Sequence, residues 1–337
     1  VTQVHVDNPL PTAVLVGESD ILVGPTQLRS VQFSCLVPPG RRASLPVNCV
    51  EAGQPTVYQA EFTDATACPW YLRSYKLKQL GRHGDNHQHR IWDRIKTYLQ
   101  HTGTVSSTQD VCAIFDRFGD DVAKLSQVFP LHPGQVGCVS AVAQDLFVEI
   151  FGDPEMLEER YDDVLSSALV EAVAHPTRKV TPTSQVDGVL DELVEASRSS
   201  KVVHNRSLRD SGRTQVFSKG AITGSGLVSA GHLVHLSAHK RCWGTGRPFS
   251  DQLPDLEAER AQRTSDHAPL LAQLDDDYSR RHKRYRSFLR RLTPSRTTSK
   301  EPYVVPEDEE ATKGPEAVQP LPLSDSLHDF FLRLFRR

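Results

Sequence analysis

The stretch Gly24–Glu51 reads GPTQLRSVQFSCLVPPGRRASLPVNCVE and concentrates two apolar runs, two cysteines, a Gln/Arg pair and a terminal glutamate. Val31, Phe33, Cys35 and Val37 alternate with other residues, which places them on one face of a strand. Leu45–Val50 is a shorter apolar run that reads as another strand. Pro38, Pro39 and Gly40 between them make a loop rather than a two-residue hairpin turn. The unit therefore has polar edges, with Gln27 and Arg29 on entry, Arg41 and Arg42 on the loop, and Asn48 and Glu51 on exit. Arg29 is a fixed planar cation suited to phosphate, Gln27 donates or accepts, and Glu51 can serve as a base or hold a ribose hydroxyl. The same groups also suit an internal polar network that pins the strands, with Cys49 and Trp92 in the core.

Upstream, residues 10–23 hold two apolar runs around Gly17-Glu18-Ser19-Asp20, which predicts a strand pair with a turn. Downstream, Cys68–Arg73 sets Trp70 and Tyr71 beside an arginine, a patch that can stack on a base or ribose ring or pack in the core. Residues 81–90 form a polar loop with His83, His87 and His89. Helical spacing of Ile91, Trp92, Ile95, Tyr98 and Leu99 predicts one helix, and Val111 through Val128 a second, capped from Ser106–Gln109 and kinked at Gly119-Asp120. Strands follow over Val136–Ala143 and Leu146–Phe151, then an amphipathic helix carrying Leu157, Tyr161, Val164, Leu165 and Ala168. A further helix is predicted around Val186–Ala196, and strands over Thr214–Ser218, Ile222–Val228 and Leu233–Leu236. Strands, then helices, then strands describe an α+β domain with an antiparallel or mixed sheet and packed helices, assigned to residues 1–247.

After Pro248 the composition changes, and the remainder reads as a charged, largely disordered C-terminal extension. Residues 248–293 form a charged segment of helical pattern, and 294–322 a Pro/Ser/Thr/Glu-rich linker expected to be disordered. Residues 323–337 read as an amphipathic helix with Leu327, Phe330, Phe331, Leu334 and Phe335 on one face, so residues 324–337 are a candidate docking element for a protein partner. The net charge of −3 over 337 residues makes nucleic acid an unfavoured partner. Six single cysteines without a CxxC pair predict buried thiols in a reducing, cytoplasmic setting. No run of about 18 apolar residues predicts a transmembrane helix, and no signal peptide is visible. His232 and His235 lie three apart on a strand and face opposite sides, while the loop histidines lack a cysteine or carboxylate cluster, so no metal site is predicted.

Several of these segments resemble a known family. The order GxxQxR (Gly24, Gln27, Arg29), a strand ending in Leu36-Val37-Pro38, and PVxCVE (Pro46 to Glu51) is similar to the ADP-ribosylglycohydrolase- and rhodanese-phosphatase-superfamily-associated protein family. Gln88–Trp92 (QHRIW), Gly137–Phe151 and His232–Leu236 (HLVHL) extend the resemblance over roughly residues 5–240. The sequence departs from the family where Ala52, Gly53, Gln54 and Pro55 replace its Gly/Arg-Trp pair. The resemblance implies a link to ADP-ribose or NAD-derived metabolism and points to Gln27, Arg29, Cys49, Glu51, Gln88 and Trp92 as the positions that match its motifs; by side-chain chemistry Arg29 and Glu51 are the catalytic candidates, and Gln27, Cys49, Gln88 and Trp92 the ligand-binding ones. Trp70 joins the ligand-binding set as an aromatic able to stack on adenine. Neither the residues nor the resemblance names a cofactor. The competing reading is a non-catalytic scaffold, favoured by the C-terminal segment and by the lack of a phosphate loop, a GxSxG elbow or an HxxEH motif.

Overall fold

A computed structural model describes residues 3–24, 26–54, 61–79, 87–142, 145–174, 186–203, 208, 211–241 and 323. The expected elements at 248–293, 294–322 and 324–337 lie outside the described residues, as do His83 and Cys242. Strands β1 (Gln3–Asn8), β2 (Val14–Val16), β3 (Ile21–Val23), β4 (Arg29–Val31), β5 (Cys35–Val37), β6 (Arg41–Cys49) and β7 (Asp64–Thr66) open the chain. Helices α1 (Trp70–Gln79), α2 (His87–His101) and α3 (Ala113–Ser126) follow, then β8 (Gly137–Val142), β9 (Asp145–Phe151) and α4 (Pro154–Ala174). Helix α5 (Val189–Ser197) and strands β10 (Lys201–Val203), β11 (Arg213–Lys219), β12 (Ile222–Ser229) and β13 (His232–Arg241) complete the fold.

The expected α+β class is the one observed, and every pairing among the described strands is antiparallel. A five-stranded sheet runs β1-β6-β4-β3-β7, a six-stranded sheet β10-β11-β12-β13-β9-β8, and β2 and β5 form a two-stranded sheet. Alternation decides what each face of the larger sheet does. Glu149, Ser237 and Ser225 oppose one another across β9, β13 and β12, so they share one face; Ile150, Leu236 and Gly226, each one residue further along its pairing, share the other. The second face packs Val148, Ile150, Leu236 and Ala238 against Val189, Leu193 and Ala196 of α5. The first turns toward the helices and the smaller sheet, whose own apolar face buries Val31, Leu45 and Val47. Ile91, Ile95 and Tyr98 of α2, Ile114 and Phe115 of α3 and Val170 of α4 form the core between the helices.

Four expectations change on folding. The run Val31–Val37 is two strands: β4 pairs with β6, whereas β5 pairs with β2. The break at Gln32–Ser34 frees Ser34, whose hydroxyl accepts from Glu18 N–H at 2.8 Å and whose carbonyl accepts from Thr214 Oγ1 at 2.8 Å. Strands β2 and β3 flank the turn at Gly17–Asp20 yet do not pair with each other; their partners are β5 and the β4/β7 neighbours. The aromatic patch at Trp70 begins helix α1, with Leu72, Arg73, Lys76 and Leu77 buried. Helix α3 starts at Ala113 rather than at Val111, because Asp110 is held extended in a bridge to Glu51 and its carboxylate accepts from Cys112 N–H at 2.7 Å. Gly119 stays within that helix.

Leu45 has no exposed surface and sits at the centre of the smaller sheet's core. Leu45→Ala is expected to cost about 2–5 kcal/mol in urea unfolding, whereas Val128→Ala, at a residue 68% exposed, should stay within about 0.5 kcal/mol of the parent.

Candidate functional site

Two buried polar clusters stand out. The first gathers most of the residues singled out in the sequence. Arg29 and Cys49 are register partners on β4 and β6, which brings the entering and leaving edges of the central stretch together. Arg29 Nη1 donates to Gln27 Oε1 at 2.7 Å, and Gln27 Nε2 donates to the Glu51 carbonyl at 2.5 Å. The Glu51 carboxylate accepts from Leu28 N–H at 3.1 Å and from Thr108 Oγ1 at 2.5 Å. Gln88, on the first turn of α2, donates to the Cys49 carbonyl at 2.7 Å and accepts from its N–H at 2.9 Å, so one side-chain amide takes the place of a neighbouring strand. The Cys49 thiol donates to the Glu51 carbonyl at 3.0 Å, and burial pushes its pKa up. Arg29 and Glu51 are 2% and 0% exposed. Trp92 is half-buried on α2, with the His89 ring edge-on at 5.4 Å.

Asp110 closes this cluster. Burial first, and then the nearby Glu51 charge, push its carboxyl up to about 8, while burial also raises Glu51. Two carboxyls sharing a dry space cannot both ionise cheaply.

The second cluster joins the two sheets and was not assembled from the sequence. Its centre is Arg73 on α1. The guanidinium donates to Glu149 at 2.8 and 3.0 Å, to Glu18 at 3.2 and 3.3 Å, and to Ser237 Oγ at 3.0 Å. Burial alone would lower the Arg73 pKa, but the Glu149 and Glu18 charges outweigh it and raise it. Glu149 answers in kind: burial pushes its carboxyl up, and Arg73 together with His235 pulls it below the ordinary range. His235 bridges onward, with Nε2 2.7 Å from Glu149 Oε1 and Nδ1 2.7 Å from Ser34 Oγ. Lys76, one turn after Arg73, donates to Ser19 Oγ, Ser30 Oγ and the Val31 carbonyl at 3.0, 2.6 and 2.7 Å, and burial lowers its pKa.

The turn Gly17–Asp20 supplies the acidic wall. Ser19 is a buried non-glycine residue at φ 66°, and its hydroxyl donates to Glu18. Left-handed backbone at such a residue is costly and persists where its surroundings over-determine it. Asp20 accepts from Gly17 N–H at 2.8 Å and pairs with Arg160 of α4. Arg160 keeps 26% of its side chain exposed. A small cleft lined by Gly17, Asp20, Arg73, Glu149, Arg160 and His235 opens here, with a cavity volume of about 20 Å³. That is room for about one water molecule, far below an enclosed small-ligand pocket, so the cleft offers a polar lip rather than a closed site.

Trp70 belongs to this second region. It is 1% exposed, packs its ring at a tilt against Phe147 at 4.3 Å, and lies under the Arg73 guanidinium at 4.1 Å. Thus the structure unites Gln27, Arg29, Cys49, Glu51 and Gln88, and places Trp70 beneath the other cluster. Arg73, Glu149 and His235 each lay in segments with a sequence signal, but the turn Glu18–Asp20, Lys76 and Arg160 carried none beyond a turn and a wet helix face. Among the described residues no group of three or more His, Cys, Asp and Glu side chains is placed to hold a metal, and no helix is long and apolar enough to cross a membrane.

The family model described as the ARG and Rhodanese-Phosphatase-superfamily-associated Protein domain, ARPP-1, matches residues 1–239. The chain belongs to this family. The ARPP-1 match spans both sheets and both polar clusters, and ends inside β13. No curated protein and no solved structure matches the chain.

Two outcomes separate the clusters. Arg73→Met removes the cation between two buried carboxylates, so it should cost about 3–5 kcal/mol in equilibrium unfolding, the cost typical of stranding a buried charge. In the other cluster, folded Asp110 holds a proton that the unfolded chain releases near the ordinary aspartate range. Its contribution to stability is therefore fully present at acid pH and is lost as pH rises toward about 8. The urea midpoint should fall more between pH 6 and pH 9 in the parent than in Asp110→Asn.

Proposed function

We propose that the ARPP-1 domain binds an ADP-ribose- or NAD-derived nucleotide, with the charged head of the ligand at the Arg160 lip of the cleft. The observation that carries this reading is Arg160, an arginine with 26% of its side chain exposed, paired with Asp20 and 3.8 Å from Asp163, on a cleft whose other wall is the buried Arg73–Glu149–His235 network. A planar guanidinium suits a pyrophosphate, and the Glu149 and Asp20 carboxylates suit ribose hydroxyls as hydrogen-bond acceptors. The family name supports the choice of ligand class through its association with ADP-ribosylglycohydrolases.

Binding is favoured over turnover for a chemical reason. Glu149 is held ionised by burial-resistant pairing to Arg73, and a carboxylate with a lowered pKa is a weak proton acceptor near neutrality. It accepts hydrogen bonds well and drives proton abstraction poorly. On this reading Arg29 and Glu51, the catalytic candidates of the sequence analysis, act as the internal clamp that holds β4, β6 and the Asp110 segment in register, with Gln27, Cys49 and Gln88 completing it.

Calorimetric titration of the full chain with ADP-ribose, NAD and AMP tests the proposal. Arg160→Ala should weaken ADP-ribose binding about tenfold or more, a loss of ~1.4 kcal/mol or more, with a smaller drop in the melting midpoint than Arg73→Met, since Asp20 keeps its hydrogen bond from Gly17 N–H. Absence of heat with every nucleotide, or equal affinity in the parent and Arg160→Ala, would overturn it. Chromatography of the same mixtures reads any product, and turnover abolished by Glu51→Gln alone would move the chemistry to the first cluster.

A further inference from the structure

The face of the larger sheet that packs α5 carries a built notch. Gly224 and Gly226 lie two residues apart on β12, so both present bare backbone to that face. The space a side chain would take at Gly224 is filled from within the sheet: a Cβ there would lie 2.4 Å from Phe217 Cζ, on the residue directly opposite in β11. At Gly226 the space is filled from far along the chain. A Cβ there would lie 2.5 and 2.9 Å from the two methyls of Leu323 and 3.3 Å from its Cγ. Leu323 has no exposed surface and belongs to the cluster of Ile150, Leu236, Val189 and Leu193. Its backbone N–H donates to Gln215 Oε1 at 3.4 Å, and Gln215 is the register partner of Gly226. The carbonyl oxygen of that glutamine also accepts from Ser200 Oγ at 2.9 Å, which fixes its direction.

We infer that the Gly224–Gly226 notch is a receptor for the chain's own C-terminal segment, and that Leu323 anchors the extension to the domain in cis. Three independent features converge on the same residue: a glycine that leaves the volume, an apolar wall that rewards filling it, and a side-chain amide oriented to take the incoming backbone N–H. An apolar notch of one leucine's size gains from excluding water when the leucine enters. The intervening residues 242–322 keep that leucine at a high effective concentration, since closing a longer loop adds little to its entropic cost. A free peptide or a second copy must compete against that tether. The domain is thus not finished where the family match stops at residue 239, and the first residue of the predicted C-terminal amphipathic segment already has a partner in its own chain.

Hydrogen–deuterium exchange on the full chain tests this. In the parent, amides at and next to Leu323 should exchange about tenfold or more slowly than those of residues 300–318, the factor that burial of one leucine supplies. Leu323→Ser and Gly226→Ala should each bring that segment to the faster rate. The alanine is a fair probe of docking, because all three atoms nearest to its Cβ belong to Leu323 and none to the sheet. The serine leaves the sheet untouched, so a misfolded Gly226→Ala would not blur the result. Equal exchange of the Leu323 segment in the parent and Leu323→Ser would overturn the inference. So would a concentration-dependent dimer, seen by light scattering and lost in Leu323→Ser, which would assign the notch to a second copy.

Discussion

A buried guanidinium holds this molecule together. Arg73 comes from a helix, Glu18 from the turn between β2 and β3, and Glu149 and Ser237 from the larger sheet. None of these groups has water to fall back on, so each is tolerable only while the others stay in place. The requirement acts as a lock on geometry. It sets the height of α1 over β9 and β13, and with Lys76 it ties the smaller sheet at Ser30 and Val31 to the same helix. A hydrophobic contact of equal size would permit sliding, whereas directional hydrogen bonds to a planar fork do not.

The cleft follows from the same lock. Side chains committed to Arg73 cannot fill the joint between the sheets, and the strained turn at Ser19 with its Asp20–Arg160 pair forms one lip of the space that remains. The Arg29–Glu51 cluster differs in kind. Its donors and acceptors are spent on backbone, chiefly the carbonyls and N–H groups of Leu28, Cys49 and Glu51. It stabilises a chain crossing where a regular ladder cannot continue, with Gln88 standing in for the absent strand.

Much of this could be read from the residues. The apolar runs in β6, β9, β11 and β12 and the helical spacing in α2, α3 and α4 pointed to the α+β class, and the turn at Gly17–Asp20 stands where Gly, Ser and Asp cluster. Helix α1 escaped because its buried face is not apolar. Arg73 and Lys76 lie inside alongside Leu72 and Leu77, so a pattern of hydrophobic residues at helical period never forms. The late start of α3 escaped because its cause, the bridge from Asp110 to Glu51, spans residues distant in sequence. The larger sheet's far face was equally silent: nothing along the chain marks Gly224 and Gly226 as the places on which Phe217 and Leu323 lie.

By itself, then, the sequence determined the order and type of most elements, the grouping of Gln27, Arg29, Cys49 and Glu51, and the family, because these depend on local periodicity and on motifs read along the chain. Only the tertiary structure decided which strands became neighbours, that Trp70 lies under Arg73 rather than beside Trp92, and that Leu323 returns to β12. The reason is physical. A buried charge or an empty notch has no one-dimensional signature: its partner is selected by complementarity in space, at sequence separations over which no local propensity acts.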